Sequence, residues 1–132
     1  MKDCEKEVFT RLCGPLEAQF PGIEVVDREL RVPEHFPHVS IVMADNPVRR
    51  QNLDSGDTEV TEPSFLINVH SNKTYGAKDE CKEIMAFIDD LMFGMNFTRT
   101  YIVPLSNLYD ATIYRLTARY AGVFDGNYFY RR

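Results

Sequence analysis

No apolar run in this chain of 132 residues approaches the roughly 20 needed to cross a bilayer as a helix. The first nine residues, MKDCEKEVF, are charged from the start and carry no apolar stretch of the kind a secretory signal needs. Cysteine is scarce: Cys4, Cys13 and Cys81 are an odd number with no paired spacing, which excludes a disulfide framework and reads as free thiols in a reducing compartment. These absences together lead us to expect a soluble cytoplasmic protein with no membrane partner. Positive charge is short as well. Fifteen Lys and Arg face twenty Asp and Glu, a net charge of −5. That balance argues against a nucleic-acid binder held mainly by phosphate neutralisation, although DNA can pass such a surface without being gripped. Nucleotide and hydrolase fingerprints are missing too: there is no G-x-x-x-x-G-K-[ST], no G-x-G-x-x-G and no G-x-S-x-G.

What is present suits one domain, residues 1–132, with an ordinary core: 44% of the residues are apolar and 27% charged. Residues 3–20 read as a helix, with Val8, Leu12, Leu16 and Phe20 recurring every four and Phe9 and Cys13 widening the stripe. Gly14-Pro15 should kink it or restart its last turn, and Pro21-Gly22 stops it. A short extended piece at Ile23–Val26 follows, then a strand from Val39 to Ala44 that Asn46-Pro47 ends. The polar stretch VRRQNLDSGDTEVTEP reads as a hairpin arm with a mobile tip. Phe65 to Asn72 is the next strand. Lys78–Met95 is the clearest helix, because Cys81, Ile84, Met85, Ile88, Leu91, Met92 and Met95 step by three and four. Phe97 to Val103 is extended and Pro104 should stop it. Thr112 to Phe124 reads as one long strand, and Asp125-Gly126-Asn127 turns the chain into an edge strand at Tyr128–Tyr130. The order α-β-β-β-α-β-β, with strands joined mostly in succession, implies an α+β two-layer sandwich: a largely antiparallel sheet covered on one face by two helices.

Candidate chemistry is thin. His70, with Asn72 and Lys73, sits at a strand end, and an imidazole there is a possible general base. No orienting carboxylate and nucleophile accompany it at recognisable spacing, so interface or strand-end roles suit these three better; Asp110 or Asp79 would be its partner if the chain were a small enzyme. His35-x-x-His38 could seed a zinc site, but no further ligand pair follows. Asp89-Asp90 are adjacent on a helix and so diverge, as a solvated face does. Cys81 falls on the apolar stripe and reads as core. In TIYRLTARYAGVF, alternation places Tyr114, Leu116, Ala118 and Tyr120 under the helices, with Arg115, Thr117 and Arg119 opposite. Two guanidinium groups on one open face are a candidate subunit interface, for which the acidic arm of a neighbouring copy, Asp54, Asp57 and Glu59, is a fitting counterpart; Arg49 and Arg50 are further interface candidates. Tyr101, Tyr109, Tyr128, Phe129 and Tyr130 crowd the last third, and the terminal YFYRR either docks on the sheet or faces a partner.

The combination of FPHVSIV, NVHSNKTYGAKDECKEIMAFIDDLM, GMNFTRT and NLYDATIYRLTARYAGVFD with a terminal YRR resembles small structural proteins of tailed phages and prophages of Gram-positive bacteria, over nearly the whole chain. Length and element order are similar to those of the tail-terminator, or tail-completion, proteins of long-tailed phages. The resemblance implies a hexameric homo-oligomeric ring on the head-proximal end of the tail, assembled in the host cytoplasm. Such a ring ends polymerisation of the tail tube, docks the head–tail connector and lets DNA pass. It implies no catalytic residues, no cofactor and no metal. A neighbouring neck or tail-completion component is the alternative within the same setting.

Overall fold

The computed structural model describes residues 2–30, 32–50, 59–106 and 110–132, with the backbone alone at Arg49, Arg50 and Ser106. The chain runs α1 (Glu5–Gln19), β1 (Glu24–Val26), β2 (His38–Asp45), β3 (Val48–Arg50), β4 (Val60–Thr61), β5 (Ser64–Ser71), α2 (Ala77–Gly94), β6 (Thr98–Ser106), β7 (Tyr114–Ala121), β8 (Val123–Phe124) and β9 (Phe129–Tyr130). The fold is α+β. The main sheet has five strands in the order β1-β2-β5-β7-β6, and every pairing is antiparallel except that of β1 with β2.

The helical stripes are what bury this sheet. On α2, Cys81, Ile84, Met85, Ile88 and Met92 are buried, and on α1 Val8, Leu12 and Leu16. They meet Val39 and Ile41 of β2, Phe65, Ile67 and Val69 of β5, and Leu116, Ala118 and Tyr120 of β7 in one core. Period two along the strands and three-to-four along the helices thus converge on the same side of the sheet. Leu91, on the flank of the stripe, is only half-buried. Tyr120 carries its hydroxyl into this layer, where it donates to Asp89 Oδ1 at 3.0 Å. Asp89 is therefore tied to the sheet rather than solvated like Asp90, and burial together with this carboxylate pushes the Tyr120 phenol well above its ordinary range.

Four local expectations need correction. Helix α1 runs unbroken through Gly14 and Pro15; the carbonyl that loses its donor is that of Arg11, four residues back on the exposed side, where water can serve it. Strand β6 continues through Pro104 to Ser106, because β6 is an edge strand and the missing N–H need not serve a ladder. The long strand from Thr112 is instead two, β7 and β8, divided at Gly122. A Cβ at Gly122 would lie 3.0 Å from the Phe97 ring, and the Gly122 N–H donates to Pro63 O at 3.1 Å, so the chain turns there under close packing. Beyond that corner β8 joins a small second sheet, β3-β4-β8-β9, which the sequence did not suggest. The arm is a hairpin at its base, where Val48 pairs with Thr61; its tip, including Asp54 and Asp57, lies outside the described residues. The Asp125 turn forms as expected: Gly126 has φ 101°, and Asp125 Oδ1 accepts from the N–H groups of Asn127 and Tyr128 at 2.8 and 2.7 Å.

Among the described residues no helix is long and apolar enough to cross a membrane.

Candidate functional site

The face of the main sheet opposite the helices carries the chemistry. Register fixes which side chains share a row across it. His38 of β2 stands beside His70 of β5, which stands beside Arg115 of β7; the next row is Ser40, Asn68 and Thr117; the third is Val42, Leu66 and Arg119. Alternation along β7 therefore places Arg115, Thr117 and Arg119 where the sequence put them.

This face is not open throughout. His38, Ser40, Asn68, His70 and Thr117 are all buried. The connection from β1 to β2 lies against this end of the sheet: Glu29 reaches Arg115 with Oε1 3.1 Å from Nη2, and Pro33 is buried. Asn68 is the centre of a satisfied cluster. Its Oδ1 accepts from Thr117 Oγ1 at 2.5 Å and from Arg115 Nε at 3.0 Å, and its Nδ2 donates to Ser40 Oγ at 3.4 Å. An amide suits the position because one neutral group offers an acceptor to Thr117 and Arg115 and a donor to Ser40.

Both arginines singled out from the sequence are thus engaged within their own chain. Arg115 bridges Asn68 and Glu29, while Arg119 Nη2 contacts Asp45 Oδ2 at 3.1 Å and Ser64 Oγ at 3.0 Å. Ser64 in turn donates to Asp45. Carboxylates of a neighbouring copy are not needed to satisfy either group. Sequence reasoning missed Glu29 and Asp45 because both are far away in the chain and neither lies in a motif.

The other candidates separate. His70 is buried beside His38, with ring centroids 5.6 Å apart in an edge-on arrangement, and its Nδ1 has no hydrogen-bond partner among the described residues. Burial, then His38 and Arg115, push its pKa down to about 4. His38 is lowered too, by burial, against the opposing pull of Glu24. Glu24 Oε1 lies 2.9 Å from His38 Nδ1, close enough for an ion pair but without the alignment of a hydrogen bond, and His38 Nε2 has no partner. His35 is exposed, so the two histidines of the candidate zinc motif diverge, and among the described residues no three His, Cys, Asp or Glu side chains converge on a metal position. Asn72 is exposed; Lys73 Nζ pairs with Glu80 Oε2 at 2.8 Å. Asp110 accepts from the Thr112 hydroxyl and N–H rather than addressing His70, and Asp79 lies exposed in the first turn of α2. Cys81 is core, its thiol pushed up to about 12 by burial. The side chains of Arg49 and Arg50 lie outside the described residues.

Among the described residues, an apolar surface of the main sheet left open lies at β6. Tyr101, Ile102, Val103 and Leu105 are 37–43% exposed; alternation sets Tyr101, Val103 and Leu105 in one apolar strip on the helix-free face, with Ile102 on the other. Register puts Tyr101 beside Arg119 at one end of the strip, next to a concavity of about 330 Å³ lined by Asp45, Glu62, Thr100, Tyr101, Arg119 and Arg132 among others. The terminus, whose Arg132 lines that concavity, docks rather than dangles: the Arg131 guanidinium stacks 4.0 Å over Phe93, donating to Phe93 O and Asn96 Oδ1. Phe129 is buried against Phe124 and Phe97, whereas Tyr128 and Tyr130 remain exposed.

No protein-family model matches this chain, and no curated protein matches it.

Proposed function

We propose that the chain is a non-enzymatic structural subunit of a long-tailed phage or prophage. In this reading it is a tail terminator that assembles with copies of itself into a ring, the hexamer that the resemblance implies. The ring ends growth of the tail tube, presents a docking face to the head–tail connector and lets DNA through. The observation that carries the reading is the edge strand β6. An isolated soluble domain seldom leaves three apolar side chains in a row, Tyr101, Val103 and Leu105, half-exposed on one face of an edge strand nine residues long, with Ile102 half-exposed on the other. A subunit that buries that edge in an assembly has reason to.

The same strand says how it associates. A bulge falls between Arg99 and Tyr101, and Pro104 removes one N–H from the edge. Both devices hinder addition of another strand. Contact through the side chains of Tyr101, Val103 and Leu105, with the mixed-charge concavity beside Tyr101 receiving a polar group, fits this edge better than a sheet continuing between subunits. The net charge of −5 suits a ring that DNA crosses without being retained.

The test is electron microscopy of tails assembled with and without the protein, beside sedimentation of the purified chain. The reading expects overlong tails lacking heads when the protein is omitted, and a ring-sized species in solution or on tubes. Tails of normal length that merely fail to join heads would transfer the chain to another neck component. Normal, infectious particles would end the proposal.

A further inference from the structure

The buried histidine pair is not used by the function proposed above, and its surroundings are unusual for a structural core. We propose that His38 and His70 form a proton-operated latch beneath the connection between β1 and β2: protonation of the pair drives that connection off the sheet and uncovers the polar row that ends at Arg115.

The argument begins with what faces the pair. From β1 comes Glu24, beside His38 Nδ1. From the connection come Arg28 and His35, both acting on His38, and Glu29, which clasps Arg115. From β7 comes Arg115, acting on His70. Asn68 and Ser40, the neighbours one row along, are neutral. With both imidazoles neutral, three carboxylates among the described residues have charged or polar partners here: Asp27 beside Arg28, Glu29 on Arg115 and Glu24 at His38. Adding two protons leaves the charge on His70 without a counter-ion inside a desolvated row, where like charges repel strongly. The strain falls mainly on His70, because the charged groups acting on it, His38 and Arg115, both oppose its protonation, whereas His38 has Glu24. Its unpartnered Nδ1 and the unpartnered Nε2 of His38 are the sites at which water would be regained on opening.

The element that yields is the connection rather than the sheet. Strands β2 and β5 are held by a ladder of seven residue pairs and by both helices. The connection is fastened to the row by the Glu29–Arg115 pair, whose carboxylate is 54% exposed and so strongly screened. Releasing it hydrates both rings at little cost to the core. The latch does not depend on the phage reading; it would operate in any protein with this row.

The experiment is NMR of the full chain at about pH 7.5 and about pH 5: relaxation dispersion reads the open population of the connection, and the imidazole resonances follow the titration. If His70 shifts from near 4 when covered to near 6.5 when open, the opening constant of the connection rises roughly thirtyfold between those conditions. The exchanging signals lie at residues 27–30 and 32–37, α2 shows none, and dispersion and imidazole titration move together. Glu29→Gln loosens the connection already at neutral pH. His38→Gln with His70→Asn abolishes the pH response. Absence of pH-dependent dispersion at 27–30 and 32–37, or its appearance there and in α2 alike, overturns the latch, as does a double variant that keeps the full pH response. Should the double variant not fold, the wild-type dispersion and titration data decide the matter alone.

Discussion

Replacing Asn68 by Ala removes the centre of a buried polar cluster that spans three strands of the main sheet. The side chain is fully buried and serves Thr117, Arg115 and Ser40 at once. The Thr117 hydroxyl bond is a short neutral one, worth about 1 kcal/mol net. The Arg115 bond is charge-assisted and worth about 1.5–3 kcal/mol. The contact with Ser40 is long and adds little. Arg115 retains Glu29 and is part-exposed, so water recovers some of its loss, whereas Thr117 does not regain a partner easily at 2% exposure. The expected cost is therefore about 2–4 kcal/mol, a large share of the stability of a domain this size. The assay is urea unfolding followed by circular dichroism, with the midpoint compared at unchanged slope. Asn68→Asp is the informative companion: it keeps the acceptor oxygen that serves Thr117 and Arg115, loses the donor to Ser40 and brings a buried charge beside Arg115, and it should fall between wild type and Asn68→Ala. A loss under about 1 kcal/mol for Asn68→Ala would refute the reasoning, since it would mean that the helix-free face is wet and its hydrogen bonds are exchanged for water without penalty.

Four further outcomes are expected. Ile88→Ala should cost about 2–5 kcal/mol and Leu91→Ala clearly less, because Ile88 is fully buried and Leu91 only partly, as the same urea titration will report. Stability should fall with acid: His70 binds its proton more weakly when folded, at about 4, than when unfolded, near 6.5, so its contribution is flat above pH 6.5 and is lost between about 6.5 and 4, by up to about 3 kcal/mol; His38 works in the same direction, and thermal melts across that window check it. Arg115→Glu with Arg119→Glu should destabilise the monomer itself, since each reversal sets a carboxylate against Glu29 or Asp45, and calorimetry before sedimentation separates that from any loss of assembly. Tyr101→Ser with Leu105→Ser should leave the melting temperature nearly unchanged while weakening self-association at least tenfold in sedimentation, because both side chains face solvent in the isolated chain.

Local patterning by itself determined much of this protein. The stripes of α1 and α2, the alternation of β5 and β7 and the Asp125 turn are all local, so each is legible from residues within a few positions of one another, and together they specify an α+β sheet with helices on one side. Alternation also put Arg115, Thr117 and Arg119 on the face away from the helices. What it left undetermined is what covers that face. Two arginines on a strand read the same whether they meet solvent, a neighbour or their own chain; only tertiary structure brought Glu29, 86 residues away, to Arg115 and Asp45, 74 residues away, to Arg119. His70 looked like a strand-end imidazole because its neighbours in sequence are polar. Register decided otherwise, by setting it beside His38 and Arg115 in a buried row. The corner at Gly122 escaped for the same reason. Its cause is the ring of Phe97, a contact across the core, and a sequence does not announce which side chain will press against a glycine until the chain is folded.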